Sequence, residues 1–371
     1  MQITGAEVIP VNADVTPLGE PDGIAPYESN HDSVEDVDRV LVRLDTDEGV
    51  SGWGEMLAAL ASPEATKAVF ESVVIPPLIG RSVWEINALI EEFYFPYVKI
   101  EPFIGAVEMA MFDALGKHLD VPVSKLLGGA YDPAVDVAYA VGILPREDSR
   151  RHARKAVADG FSVLKTKAGP DWRQDVDRIV AMDEAADGNL EFRLDPNQGW
   201  SIDEAIRVGA ELGRSGVDVQ YLEQPVRIDS VGNYSSLRSR LQIPIAVNED
   251  TYFKHNLMTL VREDAIDVAV VDIIPAGGIV EMRKLAGLAE HAGVSLAHHC
   301  GFDLGVKTAA MVHAVAATPA ISLAADTVYY GWAEHVIDDP FTVEEGQIEV
   351  PDGPGLGVTV DEEKLERCRL D

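Results

Sequence analysis

Ser162-Val163-Leu164-Lys165-Thr166-Lys167, Glu191-Phe192-Arg193-Leu194-Asp195 and Asp218-Val219-Gln220-Tyr221-Leu222-Glu223 are three short apolar runs, each closing on a charged residue. Five more share their form: Val137 to Val141, Pro244 to Glu249, Asp267 to Asp272, Val294 to His299 and Ala320 to Asp326. Segments rich in Ala, Leu, Arg and Glu, such as Ser149 to Asp159, Asp203 to Gly213 and Gly278 to His291, separate them. Strand-like runs alternating with helical patterns predict βα units on a parallel sheet. Eight such units over about 190 residues predict a closed, TIM-like (β/α) barrel across 131–335.

Residues 1–130 read differently. Ile3 to Val11 and Asp38 to Thr46 have strand character, with Asp47-Glu48-Gly49 as a turn, and helical patterns follow over 63–74, 83–92 and 105–119. This predicts an N-terminal α+β capping domain. Residues 336–371, rich in Gly, Pro and Val over 340–357, have no ninth unit to build and are expected to return to the cap.

The composition narrows the class further. With 371 residues, 47% of them hydrophobic and 25% charged, the chain can bury a large core. No stretch approaches the roughly 18–20 uninterrupted apolar residues of a bilayer span. The first residues lack the basic and apolar parts of a secretory signal, so a cytoplasmic location is expected. A net charge of −33 repels phosphates and anionic lipid, which argues against nucleic-acid and membrane partners. The acids are spread along the whole chain, as in a solvated acidic shell suited to high salt and a halophilic source. Two cysteines, Cys300 and Cys368, exclude a disulfide framework or a zinc ribbon.

Active sites of such barrels lie at the C-terminal ends of the strands. Here Lys165 and Lys167, Asp195, Glu223, Glu249, Asp272, His299 and Asp326 fall at those ends, spaced from Lys167 onward by 28, 28, 26, 23, 27 and 27 residues. Charges on apolar strands need partners, a metal or water. Three converging carboxylates, Asp195, Glu223 and Glu249, call for a hard cation, Mg²⁺ first and Mn²⁺ second. Lys165 and Lys167, two apart on a strand, share a face, and a lysine there is expected to have a lowered pKa and to act as a base. Asp272 beside His299 would fix the imidazole tautomer and make a second proton carrier. His298, on the other face of the strand, competes for that role. Asp326 reads as a hydrogen-bond donor, a ligand for a substrate hydroxyl, or an ion-pair member. Cys300 is given no role.

With these residues in place the chain resembles the enolase superfamily, mandelate racemase-like group. The motifs are Lys165-Thr166-Lys167, Asp195-Pro196-Asn197, Leu222-Glu223-Gln224-Pro225, Asn248-Glu249-Asp250, and Asp272 followed by Gly277-Gly278-Ile279. The stretch from Ala106-Val107-Glu108 through Asp113, Gly116-Lys117 and Pro122 to Leu127-Gly128-Gly129 is similar too. The resemblance implies a metal held by Asp195, Glu223 and Glu249, with Lys165 and Asn197 on the substrate. Lys167 and the His299–Asp272 dyad would flank an acidic α-carbon, giving an enediolate. Muconate-cycloisomerase-like and dipeptide-epimerase-like groups carry Lys where this chain has Asp272, which disfavours those activities. Ala325-Asp326-Thr327 resembles acid-sugar dehydratases, so a hydro-lyase acting on an aldonate or aldarate is expected. Racemisation of an α-hydroxy acid is the alternative and cycloisomerisation the lesser one. The resemblance also implies a homo-oligomer, dimer or octamer. Specificity is expected from cap loops over 16–31 and 53–62, with Tyr27, Asn30, Trp53 and Glu55 as candidate substrate contacts.

Overall fold

The computed structural model describes residues 1–58, 62–93, 99–228 and 230–370. Its cap opens with β1 (Ile3–Asp14), the small ribbon β2 (Tyr27–Glu28) and β3 (Ser33–Val34), then β4 (Asp36–Thr46) and β5 (Ser51–Leu57). The antiparallel order β1-β4-β5 forms one sheet, turned between β4 and β5 at the expected Asp47-Glu48-Gly49. Helices α1 (Pro63–Val69), α2 (Ile86–Glu92), α3 (Glu101–Leu119) and α4 (Val123–Leu126) complete the cap. The α3 helix lies so close to β5 that a Cβ on Gly52 or Gly54 would stand 1.9 and 2.0 Å from the carbonyl oxygens of Ala110 and Ala106. Backbone-to-backbone approach of that kind admits only glycine.

The barrel follows as β6 (Ala134–Val141), α5 (Arg146–Ala158), β7 (Val163–Lys167), α6 (Trp172–Ala185), β8 (Glu191–Asp195), α7 (Ile202–Ser215), β9 (Val219–Glu223) and α8 (Val231–Arg238). Its second half is β10 (Ile245–Val247), α9 (Lys254–Arg262), β11 (Val268–Val271), α10 (Ile273–Ala276), α11 (Ile279–His291), β12 (Ser295–His298), α12 (Val306–Ala316) and β13 (Ala325–Thr327). All neighbouring pairs from β6 to β12 are parallel, and β13 joins β6. The ring is nearly closed, with Leu323 N–H donating to Leu296 O across the last seam. Residues 320–324, expected in the eighth strand, instead make that seam and a turn in which Ile321 N–H bonds Thr318 O. The strand proper begins at Ala325.

The chain then returns. β14 (Gln347–Glu349) pairs antiparallel with β6, and α13 (Glu362–Cys368) ends beside β1, where Arg369 bridges Val11. Buried carboxylates fasten the cap to the barrel and to the returning segment. Glu108 of α3 accepts from Ile279 and Val280 N–H at the start of α11, and Gly278, at φ 121°, leaves room for that side chain. Asp113 accepts from Trp53 N–H (2.9 Å), Leu356 N–H (2.8 Å) and Lys117 (2.6 Å). Among the described residues no helix is long and apolar enough to cross a membrane.

Candidate active site

The strand ends meet the cap in one cleft of about 420 Å³. Its wall includes Lys165, Lys167, His299 and Asp326 from the barrel and Tyr27, Asp32, Asp36, Asp38 and Leu57 from the cap. Lys167, Asp195 and Glu223 are the last residues of β7, β8 and β9, while Asp272 and His299 stand one residue beyond β11 and β12. Glu249 opens a short 3₁₀ turn after β10.

Ion pairs tie the lysine side together. Lys165 Nζ lies 2.7 Å from Glu223, 2.8 Å from Asp326 and 3.6 Å from Asp195, and Lys167 Nζ lies 2.5 Å from Asp195. Burial alone would lower Lys165, but Asp326, Glu223 and Asp195 outweigh it and raise its pKa, so Lys165 is a fixed cation and does not have the lowered pKa expected of a lysine at this strand end. Burial would raise Asp195, and Lys167 and Lys165 instead hold it below the usual range. Burial pushes Glu223 up to about 8, against Lys165 and with help from Asp195 and Asp326. Glu249 is raised by burial and then by Asp195.

Among the described residues, no group of three or more carboxylate, histidine or cysteine side chains is gathered to hold a metal ion. The expected convergence of Asp195, Glu223 and Glu249 is therefore not preformed. The two ammonium groups occupy the Asp195 and Glu223 oxygens that a cation would share. Yet Glu223 Oε2 and Glu249 Oε2 are buried without a hydrogen-bond partner, a costly state for two carboxylates. Spare hard oxygens beside a third carboxylate fit a divalent cation.

Opposite, His299 Nδ1 lies 3.1 Å from Asp272 Oδ2, and its ring is partly open to the cleft. His298 is buried; its Nε2 accepts from Ile273 N–H, and burial lowers it to about 4. Asp272 is pulled down, despite burial, by Lys307 and His299.

The structure places the other expected residues as follows. Asp326 is an ion-pair member, bonded to Lys165 and to Arg193 (2.8 Å) and lowered to about 2 by these cations against burial. Asn197 reaches Asp195 through its N–H (2.9 Å) and Glu249 through Nδ2 (3.5 Å), so it braces carboxylates. Tyr27 lines the cleft, its ring edge-on to Phe302 at 5.0 Å. Asn30 bonds Pro196 O (3.2 Å).

Trp53 does not face the cleft. It sits within β5, two residues before Glu55 and four before Leu57, it is not part of the cleft wall, and its ring meets Arg43 at 5.8 Å. Glu55 is buried and bonds Arg39 (3.0 Å), Leu304 N–H (2.8 Å) and Lys307 N–H (2.8 Å), leaving nothing for substrate. Residues 59–61 of the expected loop lie outside the described residues.

Sequence reasoning missed Lys307, Arg193 and Arg39. Arg193 stands two residues before Asp195, so the period of two already aimed it into the barrel. Lys307 is the one Lys, Arg, Asp or Glu of α12, Val306–Ala316, whose every residue is buried. A lone cation in such a helix signals a buried partner.

Comparison with known proteins shows the family and the fold. The enolase C-terminal domain-like family matches residues 148–364, and the N-terminal domain of the mandelate racemase / muconate lactonizing enzyme family matches residues 13–128. The chain is 30% identical to the 3,6-anhydro-alpha-L-galactonate cycloisomerase of Streptomyces coelicolor, covering 92% of this chain and 94% of that one. It is 26% identical to the N-succinyl-L-Arg/Lys racemase of Bacillus cereus, covering 93% and 94%. Its fold superposes with TM-score 0.92 on muconate lactonizing enzyme from Pseudomonas fluorescens complexed with muconolactone, at 27% identity over 100% and 99% of the chains. Further relatives are also cycloisomerases and epimerases. These are isomerases, which overturns the expected hydro-lyase; Asp326, on which that expectation leaned, is ion-paired with Lys165 and Arg193. Cycloisomerases are also among the relatives despite Asp272.

Proposed function

Because the chain belongs to the mandelate racemase / muconate lactonizing enzyme group of the enolase superfamily, we propose that it is an isomerase that moves a proton α to the carboxylate of a sugar acid. The observation that supports this reading is the pair of proton carriers in one cleft, Lys167 held by Asp195 and His299 held by Asp272.

Asp195, Glu223 and Glu249 would hold Mg²⁺, or Mn²⁺, which when bound would draw charge from the substrate carboxylate and make its α-proton more acidic. Lys165, kept charged by Glu223 and Asp326, binds the same carboxylate and stabilises the negative charge that develops on it. His299 donates Nδ1–H to Asp272, so Nε2 presents a lone pair to the cleft. One carrier removes the α-proton. In a cycloisomerisation the freed electron pair expels a ring oxygen on the β-carbon, which stays in the molecule and takes a proton from the second carrier.

Asp32, Asp36 and Asp38 on the outer wall suit hydroxyl groups and repel a second carboxylate, which favours a polyhydroxy monocarboxylate over a dianion. Racemisation or epimerisation is the second reading, favoured by carriers on two walls: the proton then returns to the other face.

The test is incubation with Mg²⁺ and aldonates, aldonolactones and anhydroaldonates in D₂O, followed by NMR and mass spectrometry. The expected product has its substrate's formula, with one deuterium on the former β-carbon once the enol left by ring opening ketonises, or on the α-carbon if the reaction is racemisation. Absence of deuterium uptake from every acid would end the proposal.

A further inference from the structure

The His299–Asp272 dyad is not isolated. Asp272 Oδ1 accepts from Ile274 N–H (2.9 Å), but Oδ2 is shared between His299 Nδ1 (3.1 Å) and Lys307 Nζ (3.0 Å). Lys307 in turn meets both oxygens of Asp303 at 2.9 Å. Arg39 of the cap reaches Asp303 at 3.1 Å and Glu55 at 2.8 Å. The signs alternate from the dyad to the cap sheet: Asp272, Lys307, Asp303, Arg39, Glu55. Every member is buried.

We propose that Lys307 is a positioning residue of the active site, holding Asp272 and cancelling part of its charge so that His299 rests as a neutral proton acceptor. This rests on the reading of His299 as a proton carrier. A carboxylate alone beside an imidazole favours the imidazolium, which cannot take a proton. A permanent cation on the same oxygen opposes that pull. Burial would lower Lys307, but Asp272 and Asp303 raise it, so the cation stays charged across the working range.

The charges facing this group come from several elements. Buried His298 adjoins Asp272 from β12, and Cys300 lies beside Lys307 and Asp303. Asp326 of β13 acts on His299 from the other side of the cleft, while Tyr252 packs its ring against the imidazole at 6.5 Å. None of these takes the place of Lys307 on Asp272. The shared oxygen keeps the two nitrogens within about 6 Å, close enough for one unit charge to move the protonation midpoint by about one to two pH units.

The experiment is a pH titration of the full chain labelled with ¹⁵N-histidine, read at the ring nitrogens of His299, assigned by its loss in His299→Asn. In Lys307→Met the ring should take up its proton about one to two pH units higher than in the parent, and Lys307→Arg should restore the parent midpoint. Asp303→Asn removes the opposite charge and should shift the midpoint downward; it also serves if Lys307→Met does not fold. A structural role alone gives no reason for opposite shifts. Midpoints that stay fixed, or shift the same way in the methionine and asparagine variants, overturn the proposal. Failure of the isomerase reading would show separately, as absent deuterium uptake in the parent protein.

Discussion

Replacing Glu55 by alanine separates a structural role from a substrate contact. The buried carboxylate serves one guanidinium and two backbone N–H groups, at 3.0, 2.8 and 2.8 Å. In Glu55→Ala, Arg39 keeps Asp303 and the carbonyl of Gly301, so the cation is not wholly stranded. The amides of Leu304 and Lys307 lose their acceptor, at about 1–3 kcal/mol each where water cannot reach them. Breaking a buried pair costs about 3–5 kcal/mol, and the terms overlap rather than add. A loss of about 3–5 kcal/mol is expected. At about 1.3 °C per kcal/mol for 371 residues, the melting temperature should fall by about 4–7 °C. Differential scanning calorimetry of parent and variant measures it directly. A variant that melts within about 1 °C of the parent while binding substrate more weakly would show that Glu55 faces the ligand and that the cap-to-barrel chain of charges is misdrawn.

Two more outcomes follow from buried carboxylates. Burial pushes Glu108 up to about 8 from its ordinary 4.5. A raised carboxyl contributes its stability in full below about 4.5 and loses it as pH climbs through about 8, a few kcal/mol in all. Glu108→Gln keeps an acceptor for Ile279 and Val280 and should flatten that decline, seen as a smaller drop in urea midpoint between pH 5 and pH 8.5 than in the parent. The unpartnered oxygens of Glu223 and Glu249 predict that Mg²⁺ stabilises the fold, by about 2.7 kcal/mol at a hundred times its dissociation constant. Thermal shift with Mg²⁺ against EDTA should show the gain, and Glu223→Gln should abolish it; equal melting of the parent in both would remove the metal from the scheme.

The barrel was legible because its units repeat. Apolar runs ending in charge recur at the interval of one βα unit, and Lys167, Asp195 and Glu223 do close their strands. The eighth strand was misjudged because Ile321 and Leu323 are apolar for another reason, packing at the seam of the ring. The dyad was legible from neighbouring strands, and burial separates His299 from His298 as the local sequence could not. What stayed hidden was contact between distant segments. Trp53 and Glu55 share a face of β5, yet one meets Arg43 outside while the other enters a loop some 250 positions later. Glycines carry such information faintly: Gly52 and Gly54 mark a close crossing without naming the partner helix. Asp195, Glu223 and Glu249 could be picked out by type and strand position, but the pairing of Asp195 and Glu223 with lysines depends on side-chain reach, which strand spacing does not report.

The strap formed by the returning chain limits how this molecule can admit a ligand. Val123 N–H bonds Gly355 O and Leu356 N–H bonds Asp113 in the cap, while β14 is stitched to β6 of the barrel. The two bodies are thus joined by the forward linker near residue 130 and by a second tether sewn to both. A clamshell swing would have to tear that seam. Entry and exit must therefore be managed by local rearrangement at the rim, where Asn30 and His31 rest on Pro196 and Asn197, rather than by tilting the whole cap.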